Sequence, residues 1–278
     1  MEIIKTELDE AIAQRYGAYA SYYHTEASPA LVEHYGEDPL AEVDRLLDLH
    51  ARPGSRVLDL GCGAAFTTCR IATKVHEAWG IDLADDLLKA ASRRVELLGL
   101  TNVILIHGNT TRPEDVARLP ESHFDLAWSK RGPNMNAMLA PKLREGAFFV
   151  QELVSNFDRY PLGELLGLRN YAAYNYHDQE VIQSKYAEID LFPVSIKEYF
   201  YEEYFRDAEH LEANLKQGVV GNWRVASDGS YRPERDRAAM DLYVRYNSTP
   251  KGIRLLRQRK VFVFRRAPVN YYPVDTAS

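Results

Sequence analysis

Val57-Leu58-Asp59-Leu60-Gly61-Cys62-Gly63-Ala64-Ala65-Phe66 decides how this chain is read. A short apolar run ends in an aspartate, a turn of small residues follows, and a helical pattern begins. This is a strand feeding a helix through a tight loop. In a parallel sheet such a loop lies at the carboxyl end of the strand, where ligands bind. Gly61 and Gly63 let the backbone approach a ligand without Cβ obstruction, and the amides opening the following helix are expected to be available as donors. Dinucleotide loops need a small residue where this chain has Phe66, and they seat a pyrophosphate on the helix end. Asp59, two residues before Gly61, is ill placed beside a pyrophosphate and well placed beside a cation.

Working outward, short apolar segments alternate with helical patterns. A helix is predicted from about Pro39 to Leu49, then strand Arg56 to Leu60, helix Ala65 to Thr73, strand Ala78 to Ile81 and helix Ala84 to Leu97 with Gly99 as its C-cap. Strand Val103 to His107, strand Phe124 to Ser129, helix Met135 to Leu143 and strand Ala147 to Leu153 follow. The alternation signals a parallel sheet with helices on both faces. Beyond Ser155 the pattern changes. Residues Pro161 to Asp190 read as mostly helical and carry Tyr171, Tyr174, Tyr176 and His177. Val194 to Phe205 reads as a strand, Asp207 to Gln217 and Pro233 to Tyr246 as helices, and Val261 to Arg266 as a final strand. At the other end, Ile12, Tyr16, Tyr19 and Tyr23 share one face of a predicted helix, Leu8 to Tyr23, that either packs on the body or forms a lid over a ligand.

Asp59-Leu60-Gly61-Cys62-Gly63 resembles the first motif of the class I S-adenosylmethionine-dependent methyltransferases, with Ala65 where that family often has glycine. The resemblance continues in order. Gly80-Ile81-Asp82 is similar to the family's acidic residue at the end of the second strand, which holds both ribose hydroxyls, and Asp82 lies about twenty residues past the glycine loop, as a ribose-binding carboxylate should. His107-Gly108-Asn109-Thr110 resembles the third-strand turn that meets the adenine amino group, with Asn109 in place of an acidic residue. Phe124 to Ser129 and Leu143 to Val150 resemble the fourth strand and the approach to the fifth. The resemblance covers Ala41 to Leu153. It implies a Rossmann-like α/β fold with a seven-stranded sheet, parallel except for the last strand. It also implies S-adenosylmethionine as cofactor, held by Asp59, Gly61, Cys62, Gly63, Asp82, Leu83, Asn109, Thr110 and Ser129. On that reading 1–50 is an N-terminal helical cap, 51–155 the cofactor-binding core, 156–267 the acceptor-side half with helical insertions, and 268–278 a tail.

The expected reaction is methyl transfer to O, N or C of a small organic molecule. The cofactor supplies the electrophile and the protein mainly alignment, so a general base is needed only when the attacking atom is protonated. Candidates are Arg131, which could hold an acceptor carboxylate or phosphate, and His177 as a base. Tyr19, Tyr22 and Tyr23 are further candidates on the N-terminal segment. His107 fits a packing role equally well. Ser129-Lys130-Arg131-Gly132-Pro133 lacks the Asn/Asp-Pro-Pro-Tyr pattern of base amino methylation, and neither Cys62 nor Cys69 is placed for base-carbon chemistry. The formal charge of −6 argues against a nucleic-acid partner, although Lys251 to Arg266 forms a basic run. That run is expected to balance the carboxylates of Tyr199 to Glu212. An RNA methyltransferase, a non-catalytic cofactor-binding protein and a nucleotide-dependent oxidoreductase remain alternatives. No zinc-ligand spacing and no apolar stretch long enough for a membrane span are present. Met1 to Leu8 lacks a signal-peptide core, and two cysteines make no disulfide framework. A cytoplasmic protein without a metal is expected, and a homo-oligomer stays open.

Overall fold

A computed structural model describes residues 30–154, 157–166, 179–217 and 233–267. The expected helix Leu8 to Tyr23 with Tyr19, Tyr22 and Tyr23, the residues Tyr171, Tyr174, Tyr176 and His177, and the tail lie outside them. The described elements form one nine-stranded sheet flanked by helices. In chain order they begin with β1 (Leu31–His34), α1 (Pro39–His50), β2 (Arg56–Leu60), α2 (Phe66–Ala72), β3 (Glu77–Asp82), α3 (Asp85–Leu97), β4 (Val103–His107), α4 (Pro113–Val116), β5 (Phe124–Lys130) and β6 (Leu143–Val154). There follow α5 (Leu162–Leu165), α6 (Gln179–Ala187), β7 (Leu191–Phe205), α7 (Ala208–Gln217), α8 (Pro233–Asn247), β8 (Ser248–Thr249) and β9 (Gly252–Arg266). The spatial order is β1-β7-β9-β6-β5-β2-β3-β4, with β8 paired to β9.

Strands β4, β3, β2, β5 and β6 are mutually parallel. Strand β9 runs antiparallel between β6 and β7, as expected for the last strand. Two strands go beyond the expected seven. β1 adds an antiparallel edge to β7, and β8 forms a short hairpin with β9. The parallel strands are buried on both faces because helices cover both. On one face α1 lays Val43, Leu46 and Leu47 against Val57, Leu126, Trp128, Val150 and Val261. On the other, Leu58, Leu60, Phe124, Phe149, Phe262 and Phe264 share a core with Ile182 and Tyr186 of α6. Helix α1 starts where Asp38 accepts the Leu40 amide (2.8 Å) with Pro39 in its first turn, a cap that satisfies an otherwise orphaned donor.

Two sequence expectations are corrected. Met135 to Leu143 is no α-helix: a single 3₁₀ turn occupies Ala140–Lys142 and Leu143 already opens β6. Pro141 removes an amide there, and Asn136 Oδ1 takes the Met138 and Leu139 amides instead. Within the stretch expected to be mostly helical, Leu162–Leu165 and Gln179–Ala187 are helices. The last strand is far longer than Val261 to Arg266, since it starts at Gly252. β7 and β9 pair from Leu191–Arg266 to Phe205–Ile253, and so run past the end of β6, which stops at Val154 opposite Arg259. On this projecting ribbon sits a second core, in which Phe205, Ile253 and Leu255 meet Leu162 of α5, Leu211 and Leu215 of α7 and Met240 and Tyr243 of α8.

Charges on the ribbon are paired. Arg254 reaches Glu202 (3.3 Å), Arg257 reaches Glu203 (2.8 Å) and Lys260 reaches Glu198 (2.9 Å). The basic run thus balances the carboxylates of β7, as its composition suggested. Asp158 is the hub, accepting from Arg257 Nε (2.9 Å), Arg259 Nη1 (2.6 Å) and the Gln258 amide (3.0 Å). Burial alone would raise its pKa, but Arg257, Arg259 and Arg159 outweigh it and hold the carboxyl well below its usual range.

Candidate cofactor site

The glycine loop is built from left-handed backbone: Gly61 (φ 77°), Gly63 (φ 53°) and Ala65 (φ 59°). Glycine adopts such angles freely, whereas alanine carries a cost of roughly 1–2 kcal/mol. Ala65 sits there fully buried, at the position where a third glycine is usual. Phe66 opens α2, its ring capped by the Arg94 guanidinium 3.2 Å from the centroid, while Arg94 also donates to the Ala64 carbonyl (2.7 Å).

The loop's amides are turned inward. Gly61 N and Cys62 N both donate to the Ile81 carbonyl (2.8 and 3.2 Å), Gly63 N donates to Asp82 Oδ2 (2.7 Å), and Ala65 N donates to the Cys62 carbonyl (2.8 Å). With these four loop amides occupied, and a carboxylate already on one of them, the loop itself is a poor seat for a pyrophosphate.

Two carboxylates remain. Asp59, one residue before the end of β2, is 3% exposed, with Thr68 of α2 donating to its Oδ2 at 2.6 Å. Burial pushes its pKa up to about 7, against the pull of Thr68 and Lys130. Such a group gains from an incoming positive charge. Asp82, half-buried at the tip of β3, accepts Ala84 N on Oδ1 (2.8 Å) and Gly63 N on Oδ2 (2.7 Å). Burial raises its pKa while the amides of Ala84, Gly63 and Leu83 lower it. Each oxygen keeps a second lone pair, so the carboxylate is locked in orientation and still able to take two hydroxyl donors.

The remaining candidates join the same rim. Gly108 N donates to the Asp82 carbonyl (2.9 Å), and His107 Nε2 lies 3.1 Å from the Leu83 carbonyl. Asn109 is buried, and its Oδ1 already accepts the Thr111 amide and hydroxyl (2.9 Å each). Its acceptor capacity is filled, and the group it can offer a purine is its NH₂. Asp115 orients the turn by accepting Asn109 N (2.8 Å). The Thr110 carbonyl takes Asn136 Nδ2 (2.9 Å) and ties this turn to the segment after β5. Ser129, buried, donates to the Pro133 carbonyl (2.7 Å). That bond folds Gly132-Pro133 onto the glycine loop. A Cβ on Gly132 would stand 2.4 Å from the Leu60 carbonyl oxygen, and one on Gly61 would stand 2.8 Å from Pro133 Cδ. Cys62 is buried with its sulfur packed against Gly80, and burial pushes its thiol pKa well above the usual value.

The structure thus gathers Asp59, Gly61, Cys62, Gly63, Asp82, Leu83, Asn109, Thr110 and Ser129 along the carboxyl edge of β2, β3, β4 and β5. Arg131 follows at φ 56°, its amide donating to the Glu152 carbonyl (3.0 Å) and its Nε 3.7 Å from Glu152 Oε2. Sequence reasoning missed Thr68, Gly132, Asp115 and Glu152. Only Gln151-Glu152, two polar residues inside an apolar strand, left a visible signal. A sulfonium ligand with an ammonium group and a ribose diol matches this donor set. It offers positive charge to Asp59, two hydroxyls to Asp82, and no phosphate for which free amides are needed.

Known proteins share the segment that carries this site. Residues 57–145 match the model of a methyltransferase domain. Two demethylmenaquinone methyltransferases share the segment. That of Bacillus mycoides is 39% identical over 71 residues, covering 24% of this chain and 29% of the relative. That of Geobacillus kaustophilus is 33% identical over 85 residues, covering 30% and 35%. The chain therefore spans only about a third of the length of these curated relatives. Solved structures extend the likeness of fold. A protein of unknown function from Deinococcus radiodurans superposes with a TM-score of 0.59 at 18% identity, over 92% of this chain and 98% of the other. Geranyl diphosphate C-methyltransferase from Streptomyces coelicolor does so with 0.55 at 13% identity, over 94% and 98%.

Proposed function

We propose, for a chain whose core belongs to the class I S-adenosylmethionine-dependent methyltransferase superfamily, that the protein transfers a methyl group from S-adenosylmethionine to a small organic acceptor. The observation that carries this reading is the rim just described, where the amides of Gly61, Cys62, Gly63 and Ala65 are spent internally and two carboxylates, Asp59 and Asp82, stand near the carboxyl ends of β2 and β3. When bound, the cofactor supplies a methyl group on a positively charged sulfur, ready for in-line displacement. Asp59 meets the ligand's cationic end. Asp82 fixes the ribose, Asn109 offers its NH₂ to the purine, and Gly132-Pro133 covers the loop on the side of β5. Residues 51–155 hold the cofactor and 156–267 shape the acceptor side. The relatives named for demethylmenaquinone support an acceptor of small-molecule size.

Calorimetric titration with S-adenosylmethionine, S-adenosylhomocysteine, NAD and NADP tests the reading. Binding of the first two alone supports it, and binding of NAD or NADP instead overturns it. A screen of small acceptors, followed by the release of S-adenosylhomocysteine, then tests transfer.

A further inference from the structure

Ala65 is the strained point of the glycine loop. Its backbone is left-handed (φ 59°) and the residue is fully buried. Glycine adopts that shape freely, and alanine does so at a cost. A residue keeps such a conformation only where its surroundings fix it from several sides. Part of the hold is local. The Ala65 amide donates to the Cys62 carbonyl (2.8 Å), and its carbonyl accepts the Cys69 amide (3.0 Å). Its methyl shares a small core with Cys69 of α2 and Ala91 of α3. The rest comes from one long side chain of α3.

Arg94, half-buried, grips the residues on both sides of Ala65. Its Nη1 donates to the Ala64 carbonyl at 2.7 Å, and its guanidinium carbon lies 3.2 Å from the centroid of the Phe66 ring. A planar guanidinium can do both at once, donating from its edge and stacking through its face, whereas an ammonium has no face to stack. The helix that carries Arg94 starts at Asp85, three residues past Asp82. Asp82 itself accepts Gly63 N on Oδ2 (2.7 Å). The segment that follows β3 therefore holds the glycine loop at two points, at Gly63 from the ligand edge and at Ala64 and Phe66 from behind.

Resting on the methyltransferase reading, we propose that Arg94 is a positioning residue for the cofactor. It fixes Ala64 and Phe66 so that the left-handed turn at Ala65, and with it the seat from Gly61 to Gly63, has its binding shape before the ligand arrives. Arg94 touches no ligand and acts only through the loop. It supplies the constraint that a glycine at position 65 would make unnecessary, so its effect on affinity depends on which residue stands there. Phe66, too bulky for a dinucleotide loop, gains a use as the surface on which the clamp rests.

The test is a double-mutant cycle on the full chain, with S-adenosylhomocysteine affinity measured by calorimetry and Tm by thermal melts. Arg94→Met keeps the aliphatic stem and removes the guanidinium. It should bind about fivefold more weakly or worse, with Tm lowered by no more than about 3 °C. Arg94→Lys keeps the charge without the planar fork and should fall between Arg94→Met and wild type. Adding Ala65→Gly to Arg94→Met should bring affinity back to within about twofold of Ala65→Gly alone. A purely structural arginine would not be rescued in this way, because the new glycine adds no packing and no charge. Unchanged affinity in Arg94→Met would overturn the proposal. So would a double variant as weak as Arg94→Met, since the arginine would then act elsewhere than through residue 65. Failure of wild type to bind S-adenosylhomocysteine would count against the methyltransferase reading itself, and the proposal would fall with it.

Discussion

Thr68 Oγ1 donates to Asp59 Oδ2 at 2.6 Å inside the protein, so a residue of the helix after the glycine loop tunes the carboxylate before it. The bond lowers a pKa that burial has pushed up to about 7. Removing it with Thr68→Val should raise the Asp59 pKa by about one unit, given a charge-assisted bond of roughly 1.5–3 kcal/mol. Affinity for S-adenosylmethionine, measured calorimetrically against pH, should then reach its plateau about one unit higher than in wild type.

Asp59 itself gives the cofactor-free protein an uncommon pH dependence. Its folded pKa lies above the ordinary 3.8, so between about pH 4 and 7 the folded state holds a proton that the unfolded state has released. This group's contribution to stability is present at the acid end and is lost as pH rises through about 7, by up to about 4 kcal/mol for three units. Asp59→Asn should flatten that decline in Tm-against-pH scans, raise Tm at pH 8, and weaken S-adenosylmethionine binding at least tenfold.

Asp82→Ala should weaken S-adenosylhomocysteine at least tenfold, about 1.4 kcal/mol, because it removes both ribose contacts. It also strands the Gly63 and Ala84 amides, so denaturant melts should show a loss of about 1–3 kcal/mol. Unchanged affinity would contradict the placement of the ribose.

Gly132→Ala should fold poorly. Its Cβ would fall 2.4 Å from the Leu60 carbonyl oxygen and 2.9 Å from Ser129 Oγ, and backbone cannot yield as a flexible side chain does. A loss of about 1–3 kcal/mol and weaker cofactor binding are expected from thermal melts and titration.

Ala65→Gly weighs opposing terms: relief of left-handed backbone, roughly 1–2 kcal/mol, against glycine's entropy cost of about 0.5–1 kcal/mol and one lost buried methyl. Stability within about 1 kcal/mol of wild type and undiminished cofactor affinity would show that alanine here is a neutral variant of the loop.

Much of this arrangement was legible because the parallel core is coded locally. Val57 to Leu60 and Val103 to His107 are apolar runs ended by turns, and their strands fall where the runs do. The long β9 was hidden, since Arg254, Arg257, Arg259 and Lys260 interrupt its apolar pattern. They are tolerated in a sheet because Glu202, Glu203, Asp158 and Glu198 meet them from distant parts of the chain. Asp158 lies 101 positions from Arg259, and no periodicity reports such a pair. The site followed the same division. Glycine loop and Asp82 are local signals, whereas Thr68 beneath Asp59, Gly132 over Leu60 and Glu152 between Arg131 and Arg259 exist only once strands are side by side. Met135 to Leu143 misled because its helical spacing of apolar residues ignored Pro141.

The place of β9 also bears on how the chain is made. It is the last described strand in sequence, yet it lies between β6 and β7. Synthesis delivers N-terminal segments first, at about 5–20 residues per second. The parallel strands can therefore assemble while β7 waits beside them without a partner on that side. Only when Gly252 to Arg266 clears the ribosome can one strand close the gap and neutralise the buried carboxylates of β7 and Asp158 together. The cofactor half would then be born early and the acceptor half completed last, by a single insertion.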